Sequence, residues 1–323
     1  MDIFHRLDEI PADFGRTVVS AGNFDGVHQA HSRVLYELVK RAAARKAKAV
    51  AVTFEPHPVR ILRPDSGLKL ITPTPKKLRL LPQSGIDAVL LLPFTRDMSL
   101  MSPHDFAQQI LCQRLKAVEV HEGYNFHFGH KAAGNVQVLT ELGRELGFEV
   151  VAYSEMLVRG ESVSSTRIRE LIRTGQVSRV RPLLGRPFGI VSTPGRGRGY
   201  GSKYTVPTIN LSRYEELAPA DGVYITRTRV GEECFDSVTN IGNRPTFGAD
   251  SFAIETHLLN FHPLELTAET EIELFFLARL RDEIKFASVE ALREQIGRDI
   301  RKAQRYFSLQ HLRKHASLLK SKA

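Results

Sequence analysis

Along the first half of the chain, short continuous apolar runs alternate with stretches whose apolar residues recur every three or four positions. TVVSA (17–21), AVAVTF (49–54), DAVLLLPF (87–94), VEV (118–120) and FEVVAY (148–153) have the length and make-up of buried strands. After the first run, Val34, Leu35, Leu38, Val39 and Ala42 fall on one helical face, while Arg33, Glu37, Lys40 and Arg41 fall on the other. Prolines in Glu55-Pro56-His57-Pro58 stop the second run. Ser102-Pro103-His104-Asp105 reads as a helix start, with Ser as N-cap and Pro at the first helical position. Strands that are apolar throughout and alternate with helices predict a Rossmann-like parallel sheet covered on both faces.

The pattern changes after Arg186-Pro187. A helical stretch, TRIRELIRTG (166–175), is the last of its kind for a long way. FGIVST, TINLS, GVYITRTRV, ECFDSVTNIG, AIETHLLNF and ETEIELFFLARL then follow as strands, several with polar/apolar alternation, separated by turns such as Ala220-Asp221-Gly222. No helical pattern interrupts them, which predicts an antiparallel β-barrel. Val289, Leu292, Ile296, Ile300, Ala303 and Phe307 then mark one face of a terminal helix, with a basic, frayed tail expected from His311. The expected domains are 1–184, an α/β nucleotidyltransferase-like unit, and 185–323, the barrel with its terminal helix.

The length of 323 residues is enough for two such domains at about 150 residues each. The net charge of +9 favours anionic partners: nucleotides, phosphorylated substrates or nucleic acid. That charge is diffuse and no nucleic-acid-binding motif accompanies it, so a nucleic-acid-binding protein is the weaker reading, resting on the basic tail with Lys314, Lys320 and Lys322. With only two cysteines, Cys112 and Cys234, a disulfide framework and a cysteine zinc site are excluded. No signal-peptide pattern is seen, and the longest apolar runs are too short to span a bilayer, so a cytoplasmic location without a membrane partner is expected. The sequence is compatible with a homo-oligomer but does not specify one.

Against this background, the turn Gly22-Asn23-Phe24-Asp25-Gly26 acquires chemical meaning. It joins a predicted strand to a helix that opens with Val27-His28-Gln29-Ala30-His31. In a parallel sheet that is where ligands bind, and free N–H groups with the helix dipole favour phosphate there. His28 and His31 share one helix face. A zinc site is the other use of His-x-x-His, but no third ligand is fixed by the sequence. Three further segments stand out: Phe54-Glu-Pro-His-Pro58, Glu122-Gly-Tyr-Asn125-Phe-His-Phe-Gly129, and Ser164-Ser165-Thr166-Arg167-Ile168-Arg169. The last places hydroxyls at a helix N-terminus with arginines just inside, a suitable clamp for polyphosphate, although an ordinary Ser/Thr cap on a basic helix looks the same.

Together and in this order, the four segments resemble the FMN adenylyltransferase module of the prokaryotic bifunctional FAD synthetases. The resemblance implies that His28 and His31 contact the ATP phosphates. It implies that the Ser164, Ser165, Thr166 and Arg169 loop closes over them, with Arg169 among the catalytic groups. It further implies that Gly22, Asn23, Phe24, Asp25 and Asn125 shape the nucleotide and flavin site. One position departs from the family's His-x-Gly-His motif: Ala30 stands where the family has glycine.

The second half carries another set. Gly195-Arg-Gly197-Arg-Gly199-Tyr-Gly201-Ser-Lys203 fits neither a dinucleotide-binding loop nor a Walker A loop. It reads as a surface loop or as a glycine-rich flap over phosphates, with Gly201 and Lys203 in contact with the nucleotide. Thr208 and Asn210, two apart on a strand, point to one side. Asn240-Ile-Gly242-Asn-Arg-Pro-Thr246, Glu255-Thr-His257 and Leu280-Arg281-Asp282-Glu283 follow. This set resembles riboflavin kinase, except that Thr205-Val206 replaces the family's Gly-Phe before Pro207. The resemblance implies Glu255 as the base for the ribityl hydroxyl, Thr208 and Asn210 as the Mg²⁺ and phosphate pair, and Arg281 in a flavin-covering loop. It also implies riboflavin, FMN, FAD and ATP as ligands, ATP as co-substrate, and no redox cofactor. The alternative is a riboflavin kinase whose adenylyltransferase activity is weakened or lost through Ala30.

Overall fold

The computed structural model describes residues 1–195, 208–243, 252–262 and 264–320. The chain divides into two compact units, Met1–Ile168 and Arg169–Ala323.

In the first unit, six strands form one sheet: β1 (Asp2–Phe4), β2 (Thr17–Ala21), β3 (Lys48–Glu55), β4 (Ala88–Pro93), β5 (Ala117–Gly123) and β6 (Glu149–Tyr153). Every pairing is parallel, in the order β1-β4-β3-β2-β5-β6. Burial on both faces explains the unbroken apolar runs. Val18 packs with Leu35, Leu38 and Ala42 of α1 (Gln29–Ala44). Its neighbour Val19 joins Phe106, Ile110 and Leu111 on the opposite face, with Leu139 of α3 (Val136–Leu146). Between these helices in sequence lies α2 (Thr74–Leu80). Ser102 caps the helical turn after β4, accepting from the Asp105 N–H at 3.0 Å as its sequence predicts. The helix then continues as a π-type segment over Phe106–Arg114. Strand order reverses between β2 and β5, which opens a crevice at their carboxyl ends.

Helix α4 (Ser165–Arg173) contains the division between the units and is followed by α5 (Val177–Leu184). The second unit is a six-stranded antiparallel sheet: β7 (Phe188–Ser192), β8 (Thr208–Asn210), β9 (Gly222–Val230), β10 (Glu233–Asn243), β11 (Phe252–Leu258) and β12 (Ile272–Arg281). Their order is β7-β12-β9-β10-β11-β8. The sheet curls until the chain leaving β7 meets the chain leaving β8. Pro194 bridges Leu211, Gly195 N–H donates to Asn210 O at 2.8 Å, and Ser212 N–H to Thr193 O at 2.8 Å. The barrel expected from the strand pattern is present as a half-barrel, its two edge chains joined, among the described residues, only by this short bridge.

One face of the curled sheet is covered by α6 (Val289–Lys320), where Ala303 and Phe307 pack on Val223, Ile225 and Val238. The apolar stripe of α6 is only partly used, because Val289 and Leu292 are exposed. The helix continues to Lys320, past the start of the expected frayed tail. The opposite face holds a closed ring of fully buried hydroxyls. Thr226 bonds Ser237 (2.8 Å), Ser237 bonds Thr228 (2.7 Å), Thr228 bonds Thr256 (3.2 Å), Thr256 bonds Thr239 (2.9 Å) and Thr239 returns to Thr226 (2.7 Å). Each oxygen has one donor and one acceptor role to fill, and one circular sense fills all of them.

Candidate active site

The β2–α1 turn is built with backbone strain. Phe24 and Val27 both adopt the left-handed region, at φ 48° and 38°, beside Gly26 at 92°. For a β-branched residue such as Val27 this is costly and persists only where surroundings enforce it. Several groups hold the turn. The buried Asp25 carboxylate accepts the N–H groups of Ile71 (3.2 Å) and Thr72 (2.9 Å). Lys77 of α2, 5% exposed, donates to Asn23 O at 3.3 Å and to Thr53 Oγ1 at 3.0 Å. Burial pushes the Lys77 ammonium below the usual lysine range, against the charges of Glu55 and Asp25. Ser165 at the start of α4 donates to Asp25 O at 2.8 Å, which ties the distant Ser164–Thr166 segment to this turn.

His28 caps α1, its Nδ1 accepting from the His31 N–H at 3.4 Å. The two imidazoles stack with ring centres 3.5 Å apart, and Phe24 meets His31 edge-on at 5.1 Å. These rings line a cavity of about 960 Å³ within the first unit. Gly22, Asn23, Ala30, Phe54, Pro58, Asn125, Ser164, Ser165 and Thr166 share its wall. Four segments far apart in sequence thus meet around one space at the sheet's switch point. Asp25 and Arg169 are not part of that wall; the Asp25 carboxylate is turned to the 71–72 amides.

Four ionisable groups of this region were given no role by the sequence, although Glu122 opens the Glu122–Gly129 segment. Glu122, on β5, lines the cavity at 3% exposure and accepts the Ala21 N–H at 2.6 Å. Burial pushes its carboxyl well above the usual range, opposed by that one backbone bond. Tyr153, at the end of β6, also lines the cavity, and burial with the nearby Glu37 and Glu119 pushes its phenol up to about 12. Its hydroxyl is 2.7 Å from His121 Nδ1, and His121 Nε2 is 2.7 Å from Glu119 Oε1. A neutral imidazole donating to Glu119 and accepting from Tyr153 satisfies both contacts. Glu119 is fully buried and is paired to Arg41 of α1 (2.7 Å) and to Arg45, the residue that caps α1. Burial alone would raise the Glu119 carboxyl, but the bonds from Arg41 and His121 and the charge of Arg45 outweigh it and hold it low.

In the second unit, Asn210 on β8, Glu255 on β11 and Asn240 on β10 lie directly opposite one another on one rung, and Thr208 lies opposite His257. Residues directly opposite in antiparallel strands share a face. The Glu283 carboxylate lies against Gly242. Burial, then the charge of Asp221, raises the Glu283 carboxyl, while an Asn240 hydrogen bond opposes them and the charge of Glu255 adds to the rise. Arg281 is paired to the buried Asp299 of α6 at 2.9 Å. Gly201, Lys203, Thr205, Val206 and the 244–247 part of the Asn240 motif lie outside the described residues. Among the described residues no group of three or more His, Cys, Asp or Glu is arranged to hold a metal ion, His28 and His31 included. The hydroxyl of Thr208 and the amide of Asn210 offer oxygen donors of the kind Mg²⁺ accepts when it keeps several waters and phosphate oxygens.

Comparison with known proteins covers both units. The FAD synthetase family model matches residues 10–167, and the riboflavin kinase family model matches residues 184–307. A bifunctional riboflavin kinase/FMN adenylyltransferase from Buchnera aphidicola subsp. Schizaphis graminum is 33% identical over 94% of this chain and 97% of its own. This chain belongs to the bifunctional riboflavin kinase/FMN adenylyltransferase family. The Escherichia coli K12 member is 30% identical over 94% of this chain and 96% of its own. A crystal structure described as a macrolide-efflux protein from Streptococcus pneumoniae shares the fold, with TM-score 0.84 and 24% identity over 94% of this chain and 98% of that one. The expected α/β unit followed by an antiparallel β unit with a terminal helix, and the expected family, are both borne out. Among the described residues no helix is long and apolar enough to cross a membrane.

Proposed function

We propose that this chain makes FAD in two ATP-dependent steps. The domain from residue 185 phosphorylates riboflavin to FMN with release of ADP, and the domain up to residue 184 adenylylates FMN to FAD with release of pyrophosphate. The observation that carries the reading is the first-unit cavity, where the strained Gly22–Phe24 turn, the stacked His28 and His31, Asn125 and Ser164–Thr166 converge at the switch point.

In the first unit a phosphate oxygen of FMN attacks the α-phosphorus of ATP, and the bond to pyrophosphate breaks. Both reactants are already ionised, so no general base is needed. His28 and His31 hold the ATP phosphates at the α1 N-terminus and stabilise charge on the leaving group. Ser164, Ser165 and Thr166 add hydroxyl and N–H donors, and Arg169 adds charge from α4. Gly22, Asn23 and Phe24 form the floor, and Asn125 faces the flavin. Asp25 contributes by fixing the turn.

In the second unit Glu255 takes the proton from the ribityl hydroxyl as it attacks the γ-phosphorus of ATP. Thr208 and Asn210 hold the Mg²⁺–phosphate group, Gly201 and Lys203 contact the nucleotide, and Arg281 supports the loop over the flavin. Bound Mg²⁺ supplies charge neutralisation on the phosphates. Flavin is substrate and product rather than a redox cofactor, and the enzyme works in the cytoplasm.

Incubating the full chain with riboflavin, ATP and Mg²⁺ and resolving the flavins over time tests this. FMN is expected to rise first and then give way to FAD. FMN that accumulates without FAD would overturn the first-unit assignment, and unchanged riboflavin would overturn both.

A further inference from the structure

Glu122 of β5 is a buried carboxyl group lining the first-unit cavity, and the phosphate chemistry above makes no use of it. A carboxylate so placed would repel a polyphosphate, and burial without a cation is costly for a charge. Among the described residues no charged side chain acts on Glu122; its one protein partner is the Ala21 N–H, bonded to Oε1. Glu122 lines the cavity together with Gly22 and Asn23 of the adjoining turn. A carboxylic acid in this position presents an O–H donor beside a carbonyl acceptor, which complements the edge of a nitrogen heterocycle rather than a phosphate.

We propose that Glu122 is a specificity-determining residue of the adenylyltransferase site, its neutral carboxyl donating a hydrogen bond to an acceptor on the heterocycle of the bound nucleotide. The proposal rests on the cavity being the FMN adenylyltransferase site. Both nucleotides of that reaction, ATP and FMN, carry such an edge, and separate titrations tell them apart. Burial pushes the Glu122 carboxyl well above the usual carboxylate range, which favours its protonated form. The ionisable groups that share its cavity are His28 and, from α1, His31 and Arg33; Arg63 and Arg96; Tyr124, His127, His130 and Lys131 after β5; and Tyr153 and Glu155 at and after the end of β6. They are the same in every variant compared, so differences between variants isolate Glu122.

The test uses the full chain with Glu122→Gln, which keeps a donor and an acceptor in the same shape, and Glu122→Val, which removes both. FMN and ATP are varied separately in FAD formation, and binding of ATP, FMN and inorganic tripolyphosphate is measured by calorimetry. The expected result is a KM for one nucleotide raised about tenfold in Glu122→Val, in line with the loss of one buried hydrogen bond. Glu122→Gln should stay within about threefold of the parent on the same scale. Tripolyphosphate affinity is expected to be equal in all three proteins. At alkaline pH the parent's KM for that nucleotide rises as Glu122 ionises, and that of Glu122→Gln stays flat. Unchanged KM values in a folded Glu122→Val protein overturn the proposal, as does a Glu122→Gln defect as large as that of Glu122→Val, or equal weakening of tripolyphosphate. If Glu122→Val does not fold, the Glu122→Gln comparison and its pH profile decide alone. A parent protein that binds ATP but makes no FAD fails the functional reading instead, and the calorimetric arms still report on Glu122.

Discussion

His121 joins the site to the sheet interior, because it bridges the cavity-lining Tyr153 and the buried Glu119. Burial pushes its imidazole below the usual histidine value of 6.5, against the pull of Glu119. The unfolded chain therefore binds this proton more readily than the folded one. Stability is then full at neutral pH and falls as the pH drops through the ordinary histidine value, by roughly 1.4 kcal/mol for each unit of depression. Glu119, held below its ordinary value, adds stability that is present above the usual carboxylate pKa and lost only as pH falls further, through its depressed value. Urea unfolding of the full chain between pH 7.5 and 5 should show the histidine loss, and His121→Gln should flatten it; an unchanged slope would rule His121 out as its source. The segment VEVHEGYNF shows a strand but not the burial of Glu119 and Glu122, which, three apart, point to opposite faces of it. Charge pairing supplied from α1 and its cap, by Arg41 and Arg45, is what lets Glu119 stay inside, and a sequence does not display such a partner across so many residues. The motif residues were legible because a strained turn and a helix start need glycine, small residues and caps at fixed spacing. Ala30 shows the limit in another way: it lines the cavity in place of the family's glycine, and α1 continues through it without interruption.

At the scale of elements, continuous apolar runs announced β2, β3 and β4 correctly because they are buried on both faces, while β6, at the sheet's edge, is only partly buried. The barrel strands were legible as strands, but not which face turns inward. In GVYITRTRV the threonines look like the wet side, yet Thr226 and Thr228 are fully buried in the hydroxyl ring, and Arg227 and Arg229 are the half-buried outer residues, paired to Asp236 and Glu273. Replacing Thr226 by Val keeps the shape and removes two hydrogen bonds, leaving Ser237 and Thr239 each short of a partner. The expected cost is about 1–3 kcal/mol. A fall of that size in the urea midpoint, with the denaturant slope unchanged, is the check; no fall would mean that the ring contributes nothing net. The partly exposed stripe of α6 is a second place where periodicity overstates burial, since Val289 and Leu292 recur on schedule but lie beyond the sheet that covers Ala303 and Phe307.

For the whole molecule, the chain holds two sheets of different construction in two compact units, each with its own candidate site. Substitutions in one should leave the other reaction intact. Glu255→Gln is expected to lower FMN formation from riboflavin about 10²–10⁴-fold. It should leave conversion of supplied FMN to FAD unchanged. Replacing His28 and His31 by Ala should lower FAD formation about 10²–10³-fold while FMN accumulates. Product chromatography on the two variants separates the outcomes, and loss of both reactions in either variant would contradict the division of labour.

The hydroxyl ring also bears on how such a chain changes over generations. A closed circuit of donors and acceptors has no ends, whereas a circuit opened at any member has two. The first replacement therefore incurs most of the loss, and a second, next to it, adds little. Drift is then blocked at each of Thr226, Thr228, Ser237, Thr239 and Thr256 taken singly, yet open to their exchange as a set for apolar residues. Descendants of this barrel should carry the circuit whole or not at all.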